Sequence, residues 1–156
     1  MLILIFSDSH GHTDAMLPLA AVRRADLLIH LGDNQRDVRA VARAMPDLSI
    51  ISVPGNCDFS RDPPVLTHSC ENLTLLITHG HQHRVKSGLN GLASAARAAK
   101  AQIALFGHTH MPHHEDAGGL LLFNPGSIAL PRAGPRTYGL IEIDGARWAA
   151  QAVPYV

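Results

Sequence analysis

Five short apolar runs punctuate this chain, and each gives way at its carboxyl end to residues able to bind a cation or move a proton. Leu2–Phe6 leads to Asp8 and His10, Leu27–Leu31 to Asp33, Leu48–Val53 to Asn56, Asn72–Thr78 to His79, and Ile103–Phe106 to His108 and His110. A continuous apolar run ended by polar residues reads as a strand buried on both faces. Helix-period patterns lie between several of the runs. Leu17–Arg24 is one, with Pro18 tolerable only in a first turn. Val38, Val41, Ala42 and Met45 form a second face that stops at Pro46, and Leu89, Leu92, Ala93, Ala96 and Ala99 form a third. Strand alternating with helix predicts a parallel sheet with crossover helices. The carboxyl ends of its strands then share one edge, where open α/β folds bind their ligands.

After Phe106 the rhythm changes. Leu120–Phe123, Thr137–Asp144 and Ala146–Val153 carry no helical pattern between them, and Asp144-Gly145 is a hairpin signal, so this part is expected to be antiparallel. No repeat, low-complexity stretch or linker interrupts the chain, which predicts a single domain over 1–156. Thirteen Lys+Arg balance thirteen Asp+Glu, leaving no basic excess for nucleic acid or anionic membrane. Aromatic residues make up only 4%, too few for a base-stacking platform. No run approaches the ~20 apolar residues of a membrane span. Two cysteines, Cys57 and Cys70, make no disulfide framework, and the expected location is cytoplasmic.

The chain has 11 histidines, and their positions carry more information than their number. The five strand ends deliver Asp8, His10, Asp33, Asn56, His79, His108 and His110 towards one place, and each is a competent metal ligand. The pairs Asp8/His10 and His108/His110 are spaced i, i+2, which in extended chain aims both side chains the same way. Such a set exceeds one tetrahedral zinc and suits two ions if a carboxylate bridges them. Imidazole mixed with carboxylate favours manganese, iron or zinc over calcium or magnesium, and the absence of thiolate argues against a closed structural zinc site. Two divalent ions less two Asp charges leave a doubly positive site, suited to a phosphoryl group. Taken singly, Asp8 and Asp33 could be helix caps and Gly55-Asn56 a turn. Those explanations would have to hold independently at five strand ends.

Asp8-Ser9-His10, Gly32-Asp33-Asn34, Gly55-Asn56-Cys57-Asp58, Thr78-His79-Gly80-His81 and Gly107-His108-Thr109-His110 resemble, in order, the motif set of the calcineurin-like metallophosphoesterase superfamily. Asn124-Pro125-Gly126-Ser127 is similar to a further loop of its small one-domain YfcE-type phosphodiesterase branch. The resemblance implies an α/β fold, a four-layer αββα sandwich of two mixed β-sheets flanked by helices. It also implies a binuclear site in which Asp8, His10 and His110 hold one ion, Asn56, His79 and His108 hold the other, and Asp33 bridges them. Manganese is the first choice of ion, with iron, zinc or nickel as alternatives.

The expected activity is hydrolysis of phosphodiesters through in-line attack by a metal-bridging hydroxide. Asn56 would also orient a phosphate oxygen, and His81 would line the substrate side. Cys57 stands where the wider superfamily usually has His, which weakens monoester chemistry and favours diesters. A small phosphoester is the expected substrate, with no membrane partner and no strong nucleic-acid binding; a homo-oligomer is left open. The alternative is a non-catalytic interaction scaffold of the same fold, as in the retromer-subunit branch, and the intact ligand set favours the enzyme. Of the other residues, His30 is read as a satisfied core histidine. His68, His83, His113 and His114 are read as solvated, and Arg36 as part of a salt-bridged helix face.

Overall fold

In the computed structural model, which describes residues 1–155, the apolar runs become strands of two five-stranded sheets, all of them interior except β3, which lies at an edge. The first sheet has the order β10-β9-β1-β2-β3, built from β1 (Leu2–Phe6), β2 (Leu27–His30), β3 (Ser49–Ser52), β9 (Thr137–Asp144) and β10 (Arg147–Pro154). The second has the order β4-β5-β6-β8-β7, built from β4 (Val65–Cys70), β5 (Leu73–Thr78), β6 (Ile103–Leu105), β7 (Pro112–Asp116) and β8 (Leu121–Pro125). Helices α1 (Met16–Arg23) and α2 (Val38–Ala44) make the crossovers between β1, β2 and β3, and α3 (Asn90–Ala98) connects β5 to β6. Pro18 falls in the first turn of α1, where its missing N–H costs nothing.

Alternation along each strand builds the layers. Ile3, Ile5, Leu27 and Ile29 of the first sheet meet Leu75, Ile77, Ile103, Leu105 and Phe123 of the second in the inter-sheet core. The intervening residues Leu4, Phe6 and Leu28 face outward onto Met16, Ala20 and Val41 of the first two helices. On the far side Leu76, Ala104, Phe106 and Leu122 bury against Leu92, Ala93 and Ala96 of α3. Strands covered on both faces need apolar residues at every position, which explains the unbroken runs. Each fully buried Leu or Ile contributes about 1.5–3 kcal/mol relative to exposure.

Three expectations change. The five runs divide between two mixed sheets, as the resemblance implied, rather than forming the single parallel sheet suggested by the strand–helix rhythm alone. Leu120–Phe123 becomes β8, which is parallel to β6 and antiparallel to β7, so only β9 and β10 make the expected antiparallel hairpin. Two further strands, β4 and β7, have no counterpart in the apolar patterning. Both are edge strands with one partner each, β5 and β8, and their residues are largely polar or exposed (Thr67, His68 and Ser69; His114, Glu115 and Asp116).

Candidate metal centre

The carboxyl ends of β1, β2, β3, β5 and β6 converge across the two sheets. Asp8, His10, Asp33 and His110 place one ligand atom each within 4.8 Å of one another, and so do Asp33, His79 and His108. Asp33 belongs to both groups. Its Oδ2 lies 3.6 Å from His10 Nε2 and its Oδ1 lies 3.4 Å from His79 Nε2. Asn56 joins the second group, with Oδ1 at 3.2 Å from His79 Nε2. The i, i+2 pairs do not behave as extended chain. Asp8, His10, Asp33, His108 and His110 all have left-handed backbone, with φ between 45° and 69°. In these turns His110 faces Asp8 and His10 while His108 faces His79, so one pair divides between the two groups. Non-glycine residues held in this conformation cost about 1–3 kcal/mol each and concentrate at functional sites.

Close backbone approach sets the spacing. A Cβ on Gly55 would lie 2.2 Å from Asp33 Oδ1, so only glycine lets the turn after β3 reach the turn after β2. There the Cys57 amide donates to Asp33 Oδ1 at 3.0 Å. A Cβ on Gly107 would likewise lie 2.0 Å from Ser7 Oγ, at the crossing of the β1 and β6 ends.

The donor chemistry fits a bound cation. His79 Nδ1 donates to Leu31 O at 2.7 Å and His110 Nδ1 donates to Leu130 O at 2.6 Å, which leaves both Nε2 lone pairs facing inward. His10 and His110 present Nε2 to each other at 3.3 Å, and His79 Nε2 faces His108 Nδ1 at 3.2 Å. Burial pushes His79 down to about 3 and His108 to about 4, so these rings are neutral and ligand-competent at pH 7. Asp8 is wholly buried. Its Oδ2 accepts from Ser7 Oγ and the His108 amide, while its Oδ1 has no hydrogen-bond partner. Burial raises its carboxyl to about 6, the mark of a carboxylate lacking a countercharge. Asp33 is held below the usual carboxylate range by His79 and the Cys57 hydrogen bonds, against an opposing effect of burial.

His81 sits half-buried beside this centre, its ring centroid 5.4 Å from that of His79 and 6.1 Å from that of His108, with Nδ1 unpartnered. Cys57 is exposed at the rim, its thiol pushed up by burial and by Asp33. Neither Asp8 nor Asp33 caps a helix: α1 starts from Ala15 and α2 from Asp37.

Beneath the ligands lies a buried network that the strand-end pattern did not reveal. Gly32 N–H donates to His30 Nδ1, His30 Nε2 donates to Ser9 Oγ, and Ser9 donates to Asp37 Oδ2. Asp37 also accepts from Gly11 N–H and from Asn34 Nδ2. His30 is thus the satisfied core histidine expected, and it also tethers the Asp8–His10 turn. The Asn124–Ser127 loop acts similarly. Asn124 Nδ2 donates to Gly107 O and Thr109 Oγ1, and Ser127 Oγ donates to Asp8 O, joining the β1 and β6 turns. Asp58 accepts from three backbone amides, Asn34, Gln35 and Gly55, and pins the β2 and β3 loops together. Ser9 just after Asp8 and Asp58 two residues after Asn56 were available signals for part of this network. Four readings shift. His113 pairs with Glu115 at 2.9 Å, His68 and His83 are half-buried, and Arg36 makes no ion pair among the described residues, its Nε donating instead to Asn34 Oδ1.

Residues 1–146 match the family model described as the calcineurin-like phosphoesterase superfamily domain. The chain belongs to this superfamily. Among relatives, it is 37% identical to the probable metallophosphoesterase YsnB of Bacillus subtilis, covering 85% of this chain and 78% of YsnB. It is 31% identical to the phosphodiesterase YfcE of Escherichia coli K12, covering 92% and 89% of the two chains. The crystal structure of a predicted phosphoesterase from Streptococcus pneumoniae superposes with a TM-score of 0.83 at 30% identity, covering 98% of this chain and 88% of that one. A zinc-complexed Vps29 from Entamoeba histolytica has a TM-score of 0.74 at 21% identity over 98% of each chain, a likeness of fold alone. This phosphoesterase therefore has the two-sheet architecture of its superfamily, and its Asp/His groups suggest divalent metal ions. No helix is long and apolar enough to cross a membrane among the described residues.

Proposed function

We propose that this phosphoesterase is a metal-dependent hydrolase that prefers phosphodiesters and takes two divalent ions. Asp8, His10, Asp33 and His110 would hold one, and Asp33, Asn56, His79 and His108 the other. The observation that carries this reading is the membership of Asp33 in two donor groups. Manganese suits the mixture of imidazole and carboxylate, with iron, zinc or nickel as alternatives. When bound, the ions supply positive charge to a phosphoryl group and acidify a coordinated water. The chain's own residues select and orient the substrate. Asn56 turns Oδ1 towards His79 and its Nδ2 towards Cys57, leaving the exposed amide to orient a phosphate oxygen. His81 offers a ring nitrogen to developing negative charge.

Cys57 sets the preference. A protonated thiol carries no positive charge for a dianionic monoester and is a poorer acid than imidazolium. A monoanionic diester with an activated leaving group needs neither. The phosphodiesterase name of YfcE agrees with this choice, and the complete donor set speaks against the non-catalytic scaffold.

The test is reconstitution with Mn²⁺, measurement of metal content by mass spectrometry, and rates on bis-(p-nitrophenyl) phosphate and p-nitrophenyl phosphate. Close to two ions per chain and faster diester hydrolysis are expected. Chelation should abolish turnover yet leave a folded protein of lower Tm, because the three apolar clusters do not depend on metal. Turnover that survives exhaustive chelation would overturn the proposal. Cys57→His should raise the monoester-to-diester ratio of kcat/KM, with the ~10²–10⁴ of a positioned general acid as the ceiling. An unchanged ratio removes Cys57 as the determinant.

A further inference from the structure

A groove of about 450 Å³ lies beside the candidate metal centre, between the Gln35–Ala42 segment on one side and β3 with the Cys57–Asp62 loop on the other. Cys57 marks where the two meet: it lines the groove, and its amide donates to Asp33 Oδ1 at 3.0 Å. A substituent on a phosphorus bound near Asp33 therefore has the groove as a neighbouring channel. The volume falls within the range of small-molecule sites.

Two features of the lining point to an occupant. The first is Phe59, which also lines the groove and whose side chain is fully exposed. An aromatic face left in water beside a groove is a platform for a planar ring. The second is Arg36. Its Nε donates to Asn34 Oδ1 at 2.8 Å, and Asn34 Nδ2 is itself held by Asp37 Oδ1 at 2.9 Å. The guanidinium is thus braced through one nitrogen, and its two terminal nitrogens have no hydrogen-bond partner among the described residues, which leaves them for the paired contact that arginine makes to phosphate. Arg39, one turn further on, adds a second positive charge, and neither arginine forms an ion pair among the described residues. Asp58 and Asp62 also line the groove, and both carboxylates already accept from neighbouring donors, Asp58 from three backbone amides and Asp62 from Gln35 Nε2.

We infer that this groove is the subsite for one arm of the diester, and that the arm is a nucleoside bearing a further phosphate, its base on Phe59 and its terminal phosphate on Arg36. This rests on the phosphoesterase reading of the metal centre and names the substrate class for it. Arg39 reinforces the field of Arg36 without being its equal, because its guanidinium has no comparable brace.

Three substrates with one leaving group separate the contributions. Methyl p-nitrophenyl phosphate, thymidine 5′-(p-nitrophenyl phosphate) and the 3′-phosphorylated form of the latter all release p-nitrophenolate, so differences in KM report recognition of the arm. KM is expected to fall about tenfold with the nucleoside and about tenfold again with the 3′-phosphate. Phe59→Ala should reduce the first step, and Arg36→Ala should reduce the second while sparing the first. Equilibrium binding of thymidine 3′,5′-bisphosphate to the Mn²⁺-loaded protein gives a readout independent of turnover, and both substitutions should weaken it several-fold. Equal KM for the three substrates, or equal nucleotide affinity in all three proteins, would overturn the inference and leave the phosphoesterase reading standing. Weakened nucleotide binding in the variants of a protein that hydrolyses none of the substrates would uphold the groove and sink the hydrolase.

Discussion

Asp8 shows most clearly what the site asks of a single residue. Its carboxylate is wholly buried, its Oδ1 has no hydrogen-bond partner, and His110 Nε2 lies 3.2 Å from that oxygen. Without a cation, the charge is a liability. Burial raises the carboxyl to about 6 in the folded state from its ordinary 3.8, so the native state holds this proton more tightly than the unfolded chain. Stability from this group is therefore lost as pH rises through about 4 to 6, by roughly 3 kcal/mol in the metal-free protein. Asp8→Asn would keep an oxygen for Ser7 and the His108 amide and place an NH₂ against the His110 lone pair. The expected outcome is a metal-free protein more stable than wild type by roughly 1–3 kcal/mol at pH 7–8, a gain that vanishes near pH 4. Metal binding in that group should be lost. Denaturant titrations of the chelated proteins at both pH values check this; a variant less stable than wild type at pH 8 would contradict it.

Among the elements, the ends of β2 and β3 matter most, because their turns must touch for Asp33 to stand beside Asn56 and Cys57. Gly55 permits that contact. A Cβ there would meet Asp33 Oδ1 at 2.2 Å and Asp33 N at 2.4 Å, with backbone as well as side chain in the way. Gly55→Ala should cost about 1–3 kcal/mol as an overpacking change and displace the one carboxylate shared by both donor groups. Metal content in Gly55→Ala should therefore fall further than in His10→Ala, which removes a single ligand from one group. Wild-type metal content in Gly55→Ala would show that the turn relaxes without moving Asp33. The legibility of elements follows the same logic of contact. β1, β2, β5 and β6 were readable because both faces are largely buried and most of their residues are apolar. β4 and β7 were not, because their residues are largely polar or exposed and only one neighbour's hydrogen bonds place them in the sheet.

For the molecule as a whole, acid response sums over several buried imidazoles. Burial lowers His30 and His108 to about 4 and His79 to about 3, against the ordinary imidazole value of 6.5. The unfolded chain binds these protons first, so their contribution is complete above about pH 6.5 and is lost as pH falls towards 4. Asp8 opposes them over the lower part of that window, one group against three. The Tm of the chelated protein should fall by roughly 5–10 °C between pH 7 and 4.5; a flat profile would mean that these rings are not held neutral in the fold. With ions bound the fall should be steeper, because ligand imidazoles must stay deprotonated.

The sequence by itself determined the superfamily, the apolar strands and the residues that can bind metal, because each rests on a local pattern: an apolar run, a helix period, a chemically able residue at a strand's end. His30 was legible as buried for the same reason. Which strand joins which of the two sheets was decided only in three dimensions, since strands of both sheets are equally apolar and pairing depends on non-local hydrogen bonds. So was the aim of the ligands. The i, i+2 spacing suggested extended chain, whereas His108 and His110 occupy left-handed turns that send them to different groups. What holds those turns is the Ser9–His30–Asp37 network and the Asn124–Ser127 loop, contacts between residues up to 119 positions apart. A side chain's chemistry is written in its own position, but its direction is set by backbone strain that only a distant part of the chain can hold in place.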